Sequence, residues 1–331
     1  MKIRKNVKLA KYITFRVGGP ARYFVEVKSV DELREALDFG LKEKLKIFIL
    51  GGGSNTLFSD SGFDGLVIKV DIKEVSFENE SVQAGAGEIW DTLVMKAVKR
   101  GLSGIENLSL IPGTVGGAVF QNIGAYGAEL KDVLELVEVF NTKTKKIEKL
   151  PLKDCNFGYR DSIFQHNQAY IILGATLRLS EKFSPNIKYP DLTEYFKNKK
   201  PTLKAVREAV IRIRKSKLVY PTKNIGTVGS FFKNPIITVA GYKSLINKYP
   251  DIKGREAGKG FIKLSAGQLI EKAGWKNRRL GNAGTSKRHA LVLVSYKGAR
   301  ADDILKLSKI IQKSVKDKFD IRLEPEVRII T

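Results

Sequence analysis

Apolar and polar residues alternate along short stretches of the first half of the chain, which predicts β-strands with helices between them. In residues 30–44 and 89–100 the apolar positions recur with a helical period instead, with Ser29 placed to cap the first helix and Gly101 to end the second. The strands predicted here are residues 21–27, 46–50, 65–70, 81–84, 132–140 (approximately), 146–150 and 170–179. Together these elements predict an α+β domain.

A second unit begins after a helical pattern over residues 201–216, which ends in the breaker segment 217–222. Further helices are predicted at 265–273 and 300–319, and a strand is predicted at 290–294. This change of pattern predicts a second unit.

Composition indicates a folded protein without a membrane segment. The chain has 331 residues, of which 43% are hydrophobic. Its apolar runs fall far short of the about 20 residues that a membrane helix needs, and its basic N-terminus leads into no apolar signal core. We therefore expect a cytoplasmic location and no membrane partner.

Few residues are available for a disulfide or a metal site. Cys155 is the only cysteine, so no disulfide can form within the chain, and its setting suits a small buried apolar residue. With His166 and His289 as the only histidines, a standard structural zinc site is excluded and no metal is expected.

The formal net charge of +24 raises the possibility of nucleic-acid binding. The lysines are scattered, however, and the chain has neither an arginine-rich arm nor an aromatic-basic RNA motif. We interpret them as general surface residues and expect no nucleic acid, although a basic surface would help to attract an anionic small molecule.

Two glycine-rich loops suggest a nucleotide cofactor. Residues 51–55, Gly-Gly-Gly-Ser-Asn, follow a predicted strand, where backbone amides could approach a phosphate; a tight turn explains this loop equally well. The loop matches neither the P-loop nor the dinucleotide fingerprint. Residues 111–127 hold more glycines among few charges, and we expect them to be buried, with free amides for a pyrophosphate or a flat ring. Two such loops favour a dinucleotide.

Several motifs along the chain resemble those of a known family. Residues 14–20 (Thr-Phe-Arg-Val-Gly-Gly-Pro), both glycine loops and residues 157–162 (Phe-Gly-Tyr-Arg-Asp-Ser) are similar to the UDP-N-acetylenolpyruvoylglucosamine reductase family. The second half extends this resemblance through residues 226–235, 265–267 and 323–330.

The resemblance implies an FAD-binding domain of the vanillyl-alcohol-oxidase type, residues 1–216, in two lobes of about 1–70 and 71–216. It also implies that the second unit is a smaller α/β substrate-binding domain over 217–320, followed by a C-terminal segment, 321–331, that returns to the active site. FAD would be bound non-covalently, because no histidine lies near residues 51–55. The implied FAD-binding residues are Gly51, Gly52, Gly53, Ser54, Asn55, Gly113, Thr114, Gly116, Gly117 and Gly124.

The implied reaction belongs to peptidoglycan synthesis, and hence to cell shape and division. NADPH reduces the flavin, and the enolpyruvyl group of a UDP-linked amino sugar then takes hydride at C3 and a proton at C2. Ser230 matches the proton donor, and Arg160 and Glu326 match the pair that polarises the substrate carboxylate. The implied substrate-binding residues are Tyr159, Tyr189, Lys217, Asn234 and His289, where Tyr189 marks the longer type of the family.

Without the resemblance, plainer interpretations apply. Ser230 would be a turn hydroxyl, Arg160 and Glu326 would form a surface ion pair, and His289 fits a structural histidine as well as a substrate contact. Lys233 and Asn234 are candidates for tuning Ser230, and the alignment of residues 219–224 is open. The competing functions are another flavin enzyme on the same scaffold, such as an oxidase, and a basic nucleic-acid-binding protein. We expect a monomer.

Overall fold

The structure is a computed structural model that describes all residues from Met1 to Thr331. Its helices are α1 (Val30–Lys42), α2 (Trp90–Lys99), α3 (Val115–Gln121), α4 (Ile163–His166), α5 (Pro190–Tyr195), α6 (Leu203–Lys217), α7 (Val239–Lys248), α8 (Ala266–Lys272) and α9 (Ala301–Phe319). None of them combines the length and the apolar composition required to cross a membrane.

The strands are short and are spread over the whole chain. They are β1 (Arg4–Lys8), β2 (Pro20–Val27), β3 (Lys46–Leu50), β4 (Thr56–Phe58), β5 (Phe63–Val70), β6 (Val75–Glu78), β7 (Ser81–Gly85), β8 (Gly124–Ala125), β9 (Ala128–Glu129), β10 (Leu134–Asn141), β11 (Lys146–Pro151), β12 (Tyr170–Arg178), β13 (Ile225–Gly226), β14 (Ile236–Thr238), β15 (Gly254–Glu256), β16 (Phe261–Leu264), β17 (Arg279–Leu280), β18 (Ala283–Thr285), β19 (Leu293–Tyr296) and β20 (Arg328–Ile330).

Contacts divide the chain into two compact units. The first unit comprises Met1–Val7, Ala21–Gly53 and Asp64–Ser216; the second comprises Lys8–Pro20, Ser54–Phe63 and Lys217–Thr331. The main change between them falls between residues 216 and 217, but two earlier segments also belong to the second unit. The cofactor and substrate roles of the predicted domains stay predictions.

Two sheets organise the first unit. One has the order β1-β2-β5-β3, in which β3 and β5 are parallel with Lys46 opposite Gly65. The other has the order β11-β10-β12-β7-β6, and every neighbouring pair in it is antiparallel. Strand β12 is buried along nearly its whole length. Helices α2 and α3 contribute Trp90, Leu93 and Val119 to the same core, so these sheets and helices form one apolar interior.

Smaller sheets and one long helix form the second unit. Its sheets have the orders β13-β19-β18-β17 and β14-β16-β15, and β20 pairs in parallel with β4. Helix α9 buries Ile304, Leu307 and Ile311 at a spacing of three and four residues, as an amphipathic helix should. The helix predicted at 300–319 is therefore confirmed to within one residue.

The predicted start of helix α1 at Ser29 is also confirmed. The Ser29 hydroxyl accepts a hydrogen bond from the Glu32 amide at 3.2 Å, and the Glu32 carboxylate accepts one from the Lys28 amide at 2.7 Å. These two bonds satisfy donors at the first turn of α1 that would otherwise lack partners.

The glycine-rich segment 111–127 differs from the sequence prediction because it contains helix α3 rather than only a loop. The burial expectation is also wrong in part, since Gly113, Thr114, Gly116 and Gly117 are half-buried. Glycine has a low helix propensity, so sequence alone gives little sign of this helix. Packing explains it: a Cβ on Gly116 would lie 2.9 Å from the Cβ of Ala86, so a larger residue would force the helix away.

The strand predicted at 290–294 begins later than expected, at Leu293. Before it, the Val292 amide donates to the His289 carbonyl at 3.0 Å, which makes residues 289–292 a turn. The local apolar run could not distinguish this turn from a strand.

Candidate active site

The two predicted glycine loops pack against each other in the first unit. A Cβ on Gly52 would lie 2.8 Å from the Cα of Gly113, and one on Gly51 would lie 3.1 Å from Thr114 Oγ1. Gly53 has a φ of 62°, a left-handed conformation that glycine adopts without strain. We call Gly51, Gly52, Gly113, Thr114 and Gly117 the glycine cradle. At Gly52 its floor is bare backbone, because a side chain there would collide with the opposite loop.

One buried group of the cradle lacks a partner within the protein. Thr114 Oγ1 is buried and makes no hydrogen bond, and it lies 3.8 Å from the Cβ position of Gly117. A buried hydroxyl of this kind is normally satisfied, so a ligand acceptor beside it is expected. A phosphate oxygen of FAD fits this position, because it accepts a hydrogen bond and needs the close approach that the glycines allow.

The expectation of free amides in the second loop is only partly met. The Val115 amide donates to the Glu88 carbonyl and the Gly116 amide to the Ala86 carbonyl, both at 2.9 Å. These two amides anchor the start of α3 to the rest of the unit and are not available to a phosphate. Gly116 therefore serves the close packing of α3 on Ala86.

Sequence reasoning missed the residues that fix the chain just before Gly113. The Asp91 carboxylate accepts a hydrogen bond from the Leu110 amide at 2.6 Å and two from Arg207, at 2.7 and 3.1 Å. Leu110 has a φ of 59°, which is strained for leucine. Trp90 adds a hydrogen bond from its amide to the Gly113 carbonyl at 3.1 Å. No local pattern pairs Asp91 with Arg207, since 116 positions separate them.

The electrostatics of Asp91 follow from these contacts. Burial by itself raises the pKa of Asp91, but the hydrogen bonds from Arg207 and from the Leu110 amide outweigh it, so the net pKa is lowered. The carboxylate therefore stays ionised and keeps both partners.

Arg160 lies beside the end of the second glycine loop. Its Nη2 donates to the Gly124 carbonyl at 2.6 Å, and its own carbonyl accepts from Gln165 Nε2 at 2.9 Å. Its φ of 56° is left-handed, and its guanidinium lies 5.5 Å from the ring centroid of Tyr159. Three predicted site residues, Tyr159, Arg160 and Gly124, are thus brought together in the first unit.

Tyr189 packs on the same glycine loop. Its ring meets that of Tyr126 edge to face, with centroids 5.1 Å apart. The Asn107 side chain donates to the carbonyls of Tyr126 and Asn186, at 2.8 and 2.7 Å, and so ties the two tyrosine-bearing segments together. Asn107 is a second positioning residue that the sequence did not indicate.

In the second unit, Ser230 and Glu326 are held on neighbouring backbone segments. The amide of Phe231 donates to the Leu291 carbonyl at 3.0 Å, and the carbonyl of Phe231 accepts from the Glu326 amide at 2.8 Å. Phe231 and Phe232 are fully buried and act as apolar anchors for Ser230. The protein therefore places the backbone segments that carry the predicted hydroxyl and carboxylate side by side.

The remaining predicted substrate residues of the second unit have different surroundings. Asn234 Oδ1 accepts from the Ala266 amide at 2.9 Å, at the start of α8, and Lys217 is exposed. His289 Nδ1 accepts from the Leu291 amide at 3.2 Å. Burial, and then the charge of Lys217, lower the pKa of His289, which favours the neutral ring. Its structural contact and its predicted substrate contact are compatible, because Nε2 is the other ring nitrogen.

Asn55, predicted to bind FAD, has a contact that the sequence did not reveal. Its Nδ2 donates to the Glu326 carbonyl at 2.9 Å, and its own carbonyl accepts from the Arg328 amide at 3.0 Å. Asn55 and Glu326 both belong to the second unit. Cys155, by contrast, lies in the first unit and is a buried thiol as predicted. Burial, and next Asp154, raise its pKa to about 11, so it stays protonated.

Comparison with known families gives two matches along the chain. A family described as "FAD binding domain" matches residues 21–149, which include the glycine cradle. A family described as "UDP-N-acetylenolpyruvoylglucosamine reductase, C-terminal domain" matches residues 220–330, which include Ser230 and Glu326.

Individual relatives match over the full length. The UDP-N-acetylenolpyruvoylglucosamine reductases of Flavobacterium johnsoniae and Amoebophilus asiaticus are 42% and 43% identical to this chain, and each alignment covers 100% of both proteins. The crystal structure of the corresponding enzyme from Thermus caldophilus is 29% identical and superposes with a TM-score of 0.72 over 100% of both chains.

More distant structures share the fold alone. A 6-hydroxy-D-nicotine oxidase from Arthrobacter nicotinovorans has a TM-score of 0.53 at 12% identity, over 96% of this chain and 85% of its own. With the matches above, this likeness confirms the α+β fold with an FAD-binding domain of the vanillyl-alcohol-oxidase type. The predicted FAD cofactor is likewise confirmed, and the protein is an FAD-dependent oxidoreductase.

Proposed function

The chain belongs to the UDP-N-acetylenolpyruvoylglucosamine reductase family, and from this membership we propose that it reduces UDP-N-acetylglucosamine enolpyruvate. NADPH is the co-substrate, and the product is UDP-N-acetylmuramate for peptidoglycan synthesis. The observation that carries the proposal is the hydrogen bond of 2.8 Å between the Glu326 amide and the Phe231 carbonyl. It supports a shared role for Ser230 and Glu326, because it links the backbones of their two segments.

The glycine cradle would hold the pyrophosphate of FAD. The Thr114 hydroxyl would donate to a phosphate oxygen, and the bare backbone at Gly51 and Gly52 would let that phosphate approach closely. When bound there, FAD would supply the redox chemistry, namely hydride transfer between NADPH and C3 of the enolpyruvyl group.

The residues of the chain would handle the proton and the developing charge. Ser230 gives the proton to C2 of the substrate, which completes the reduction of the C=C bond, and the serine regains its proton from solvent. Negative charge builds on the substrate carboxylate before this step. Arg160, as a cation, and Glu326, as an acid, polarise that carboxylate, so they favour the charge distribution of the transition state.

Substrate binding is assigned to five residues, which would hold the UDP portion or line the pocket: Tyr159, Tyr189, Lys217, Asn234 and His289. The exposed Lys217 offers a cation for the diphosphate, and the net charge of +24 would attract an anionic substrate over longer distances. The monomeric state, the cytoplasmic location and the lack of nucleic-acid binding stay predictions.

The function can be tested by following NADPH oxidation directly. Purified protein should be yellow, and it should oxidise NADPH steadily when UDP-N-acetylglucosamine enolpyruvate is added. An oxidase would instead consume NADPH with oxygen alone. A colourless protein that keeps tight RNA binding at about 0.2 M salt would favour the nucleic-acid alternative, because purely electrostatic binding weakens there.

A further inference from the structure

We propose that Asn55 is a positioning residue for Glu326, in addition to its place in the loop that follows β3. The inference rests on the proposed function for what Glu326 does in the reaction. That Asn55 holds the main chain of Glu326 in position follows from the hydrogen bonds alone.

Asn55 is bonded to the segment of Glu326 at two points. Its side-chain Nδ2 donates to the Glu326 carbonyl at 2.9 Å, and its main-chain carbonyl accepts from the Arg328 amide at 3.0 Å. The second bond continues the parallel pairing of β4 with β20, in which Arg328 lies opposite Thr56. The first bond lies beyond the strand pair and depends on the asparagine side chain.

This side-chain bond completes the support of Glu326. The Glu326 amide already donates to the Phe231 carbonyl at 2.8 Å, so with Asn55 both main-chain polar groups of Glu326 have partners. Phe231 follows Ser230 directly in the chain. Fixing the Glu326 main chain on both sides limits how far its carboxylate can move relative to the Ser230 segment.

The chemistry at position 55 explains why an amide is needed. A carbonyl oxygen needs a donor, which an aspartate of the same shape could not provide, and an aspartate would set its charge against that oxygen. A glutamine adds a methylene, which moves the donor, while alanine removes it. The hydrogen bond from Asn55 to Glu326 can therefore be disrupted in three ways: by Asn55→Asp, by Asn55→Gln and by Asn55→Ala.

The alternative is that the Asn55 side chain acts as a ligand of FAD. The two roles predict different defects. Loss of an FAD ligand would weaken flavin binding whether or not Glu326 is intact. Loss of the positioning bond would leave flavin binding and flavin reduction by NADPH in place, and would slow only the step that uses Glu326.

Amide hydrogen exchange on the FAD-loaded protein tests the contact without any activity measurement. In Asn55→Ala, exchange of the Glu326 and Arg328 amides should rise roughly fivefold or more, the scale expected for one lost hydrogen bond. Asn282→Ala is the matched control, because it removes another asparagine-to-carbonyl bond of the same unit, to Gly298 at 3.4 Å. Unchanged exchange at Glu326 in Asn55→Ala would overturn the inference.

Half-reaction kinetics test the consequence. Reoxidation of the reduced flavin by the enolpyruvyl substrate should slow by about tenfold to a hundredfold in Asn55→Ala, as expected for a misplaced reacting group. Flavin affinity and reduction by NADPH should stay within about twofold of wild type. Asn282→Ala should leave both half-reactions unchanged.

A double variant separates this inference from the proposed function. In a Glu326→Gln background, Asn55→Ala should cause little further loss, because both changes act on the same group. An equal loss in both backgrounds would show that Asn55 acts independently of Glu326 and would overturn the positioning role. If Glu326→Gln alone is harmless while exchange at residue 326 still rises in Asn55→Ala, the role of Glu326 in the reaction fails and the contact itself stands.

Discussion

The glycine cradle and the Ser230–Glu326 pair are built in opposite ways. The cradle uses the absence of side chains, since a Cβ on Gly52 would meet Gly113 at 2.8 Å. The pair uses hydrogen bonds between segments that are far apart in the chain, with Phe231 bonded to both Leu291 and Glu326. The proposed FAD-binding surface is thus made by leaving side chains out, whereas the proposed reacting pair is held by hydrogen bonds from several segments.

This difference predicts how each region fails. The cradle should lose ligand affinity where an added atom collides with the opposite loop or with the ligand. The pair should be sensitive to the loss of one functional atom or one hydrogen bond, and should lose rate while the cofactor stays bound.

Ser230→Ala gives the largest expected effect. Removal of a general acid slows its step by at least about 10²-fold, so reoxidation of the reduced flavin by the enolpyruvyl substrate should slow by this amount. Reduction of the flavin by NADPH should be nearly unchanged. Stopped-flow absorbance of the flavin measures both steps. Equal slowing of the two would mean that Ser230 is not the proton donor.

Ser308→Ala is a suitable control for that variant. Ser308 is buried in α9, and its hydroxyl donates only within the helix, to the Leu305 carbonyl at 2.9 Å. Both half-reactions should therefore stay within about twofold of wild type, the range expected for a residue remote from the chemistry.

Gly52→Ala tests the cradle. The added methyl would lie 2.8 Å from Gly113 Cα and 3.2 Å from the Thr114 amide, so the two loops must separate. Overpacking of this kind costs about 1–3 kcal/mol. We expect a lower unfolding temperature and weaker FAD binding together, measured by thermal unfolding of the apoprotein and by flavin titration.

Gly117→Ala is the matched comparison within the cradle. Here the nearest atom to an added Cβ is Thr114 Oγ1 at 3.8 Å, so the protein has room for the methyl. In a helix, alanine is favoured over glycine by up to about 1 kcal/mol, so the apoprotein should be no less stable. If FAD binding nevertheless weakens, Gly117 is kept small for the ligand. Unchanged binding would mean that the flavin does not approach Gly117.

These contrasts also explain what the sequence could and could not reveal. Gly53 was predictable because its requirement is local: the backbone turns after β3 with a left-handed φ of 62°. Gly51 and Gly52 belong to the same sequence motif, although the opposite loop is what keeps them small. The amphipathic period of residues 300–319 was predictable because it too is local. Helix α3 was not, because its glycines oppose helix formation and only packing against Ala86 explains it.

Long-range support was the part that could not be predicted. Asp91 and Arg207 lie 116 positions apart, and Asn55 and Glu326 lie 271 apart. No local sequence pattern indicates that either pair is in contact. The resemblance to a family indicated Ser230, Arg160 and Glu326, but it did not indicate which residues hold them in place.

Asp91→Asn tests the support of the second glycine loop. It removes the charge that pairs with Arg207, whose side chain is only 12% exposed, and should cost about 1–3 kcal/mol. Because the pKa of Asp91 is lowered by folding, its stabilisation is present above the unfolded pKa of about 3.9 and is lost as the pH falls through the folded pKa. Denaturant unfolding at pH 6 and pH 3 should show a smaller pH dependence in the variant.

Asp64→Asn is the control for Asp91→Asn. Asp64 pairs with Arg22 at 3.3 Å, but its side chain is 86% exposed, so water screens the pair. Its loss should change stability by less than about 0.5 kcal/mol. If the two variants lose similar amounts of stability, the Asp91 ion pair contributes no more to the stability of the protein than an exposed ion pair does.

His289→Gln has the smallest expected effect and tests the support of the Ser230 segment. The His289 ring accepts from the Leu291 amide, and the Leu291 carbonyl accepts from the Phe231 amide, next to Ser230. Burial and the charge of Lys217 lower the pKa of His289, so below about pH 6.5 the unfolded chain takes up a proton that the folded chain resists. Wild type should therefore lose stability between pH 7.5 and 5.5.

That loss should be smaller by up to about 1 kcal/mol in His289→Gln, with Lys217→Met between the two, since it removes only the second cause of the lowered pKa. Denaturant unfolding at both pH values measures this order. An unchanged pH dependence in His289→Gln would contradict the buried neutral histidine. If the variant instead raises the KM for the UDP-linked substrate while stability is unaffected, His289 belongs with the substrate contacts, and the support of Ser230 lies with Phe231 and Glu326 alone.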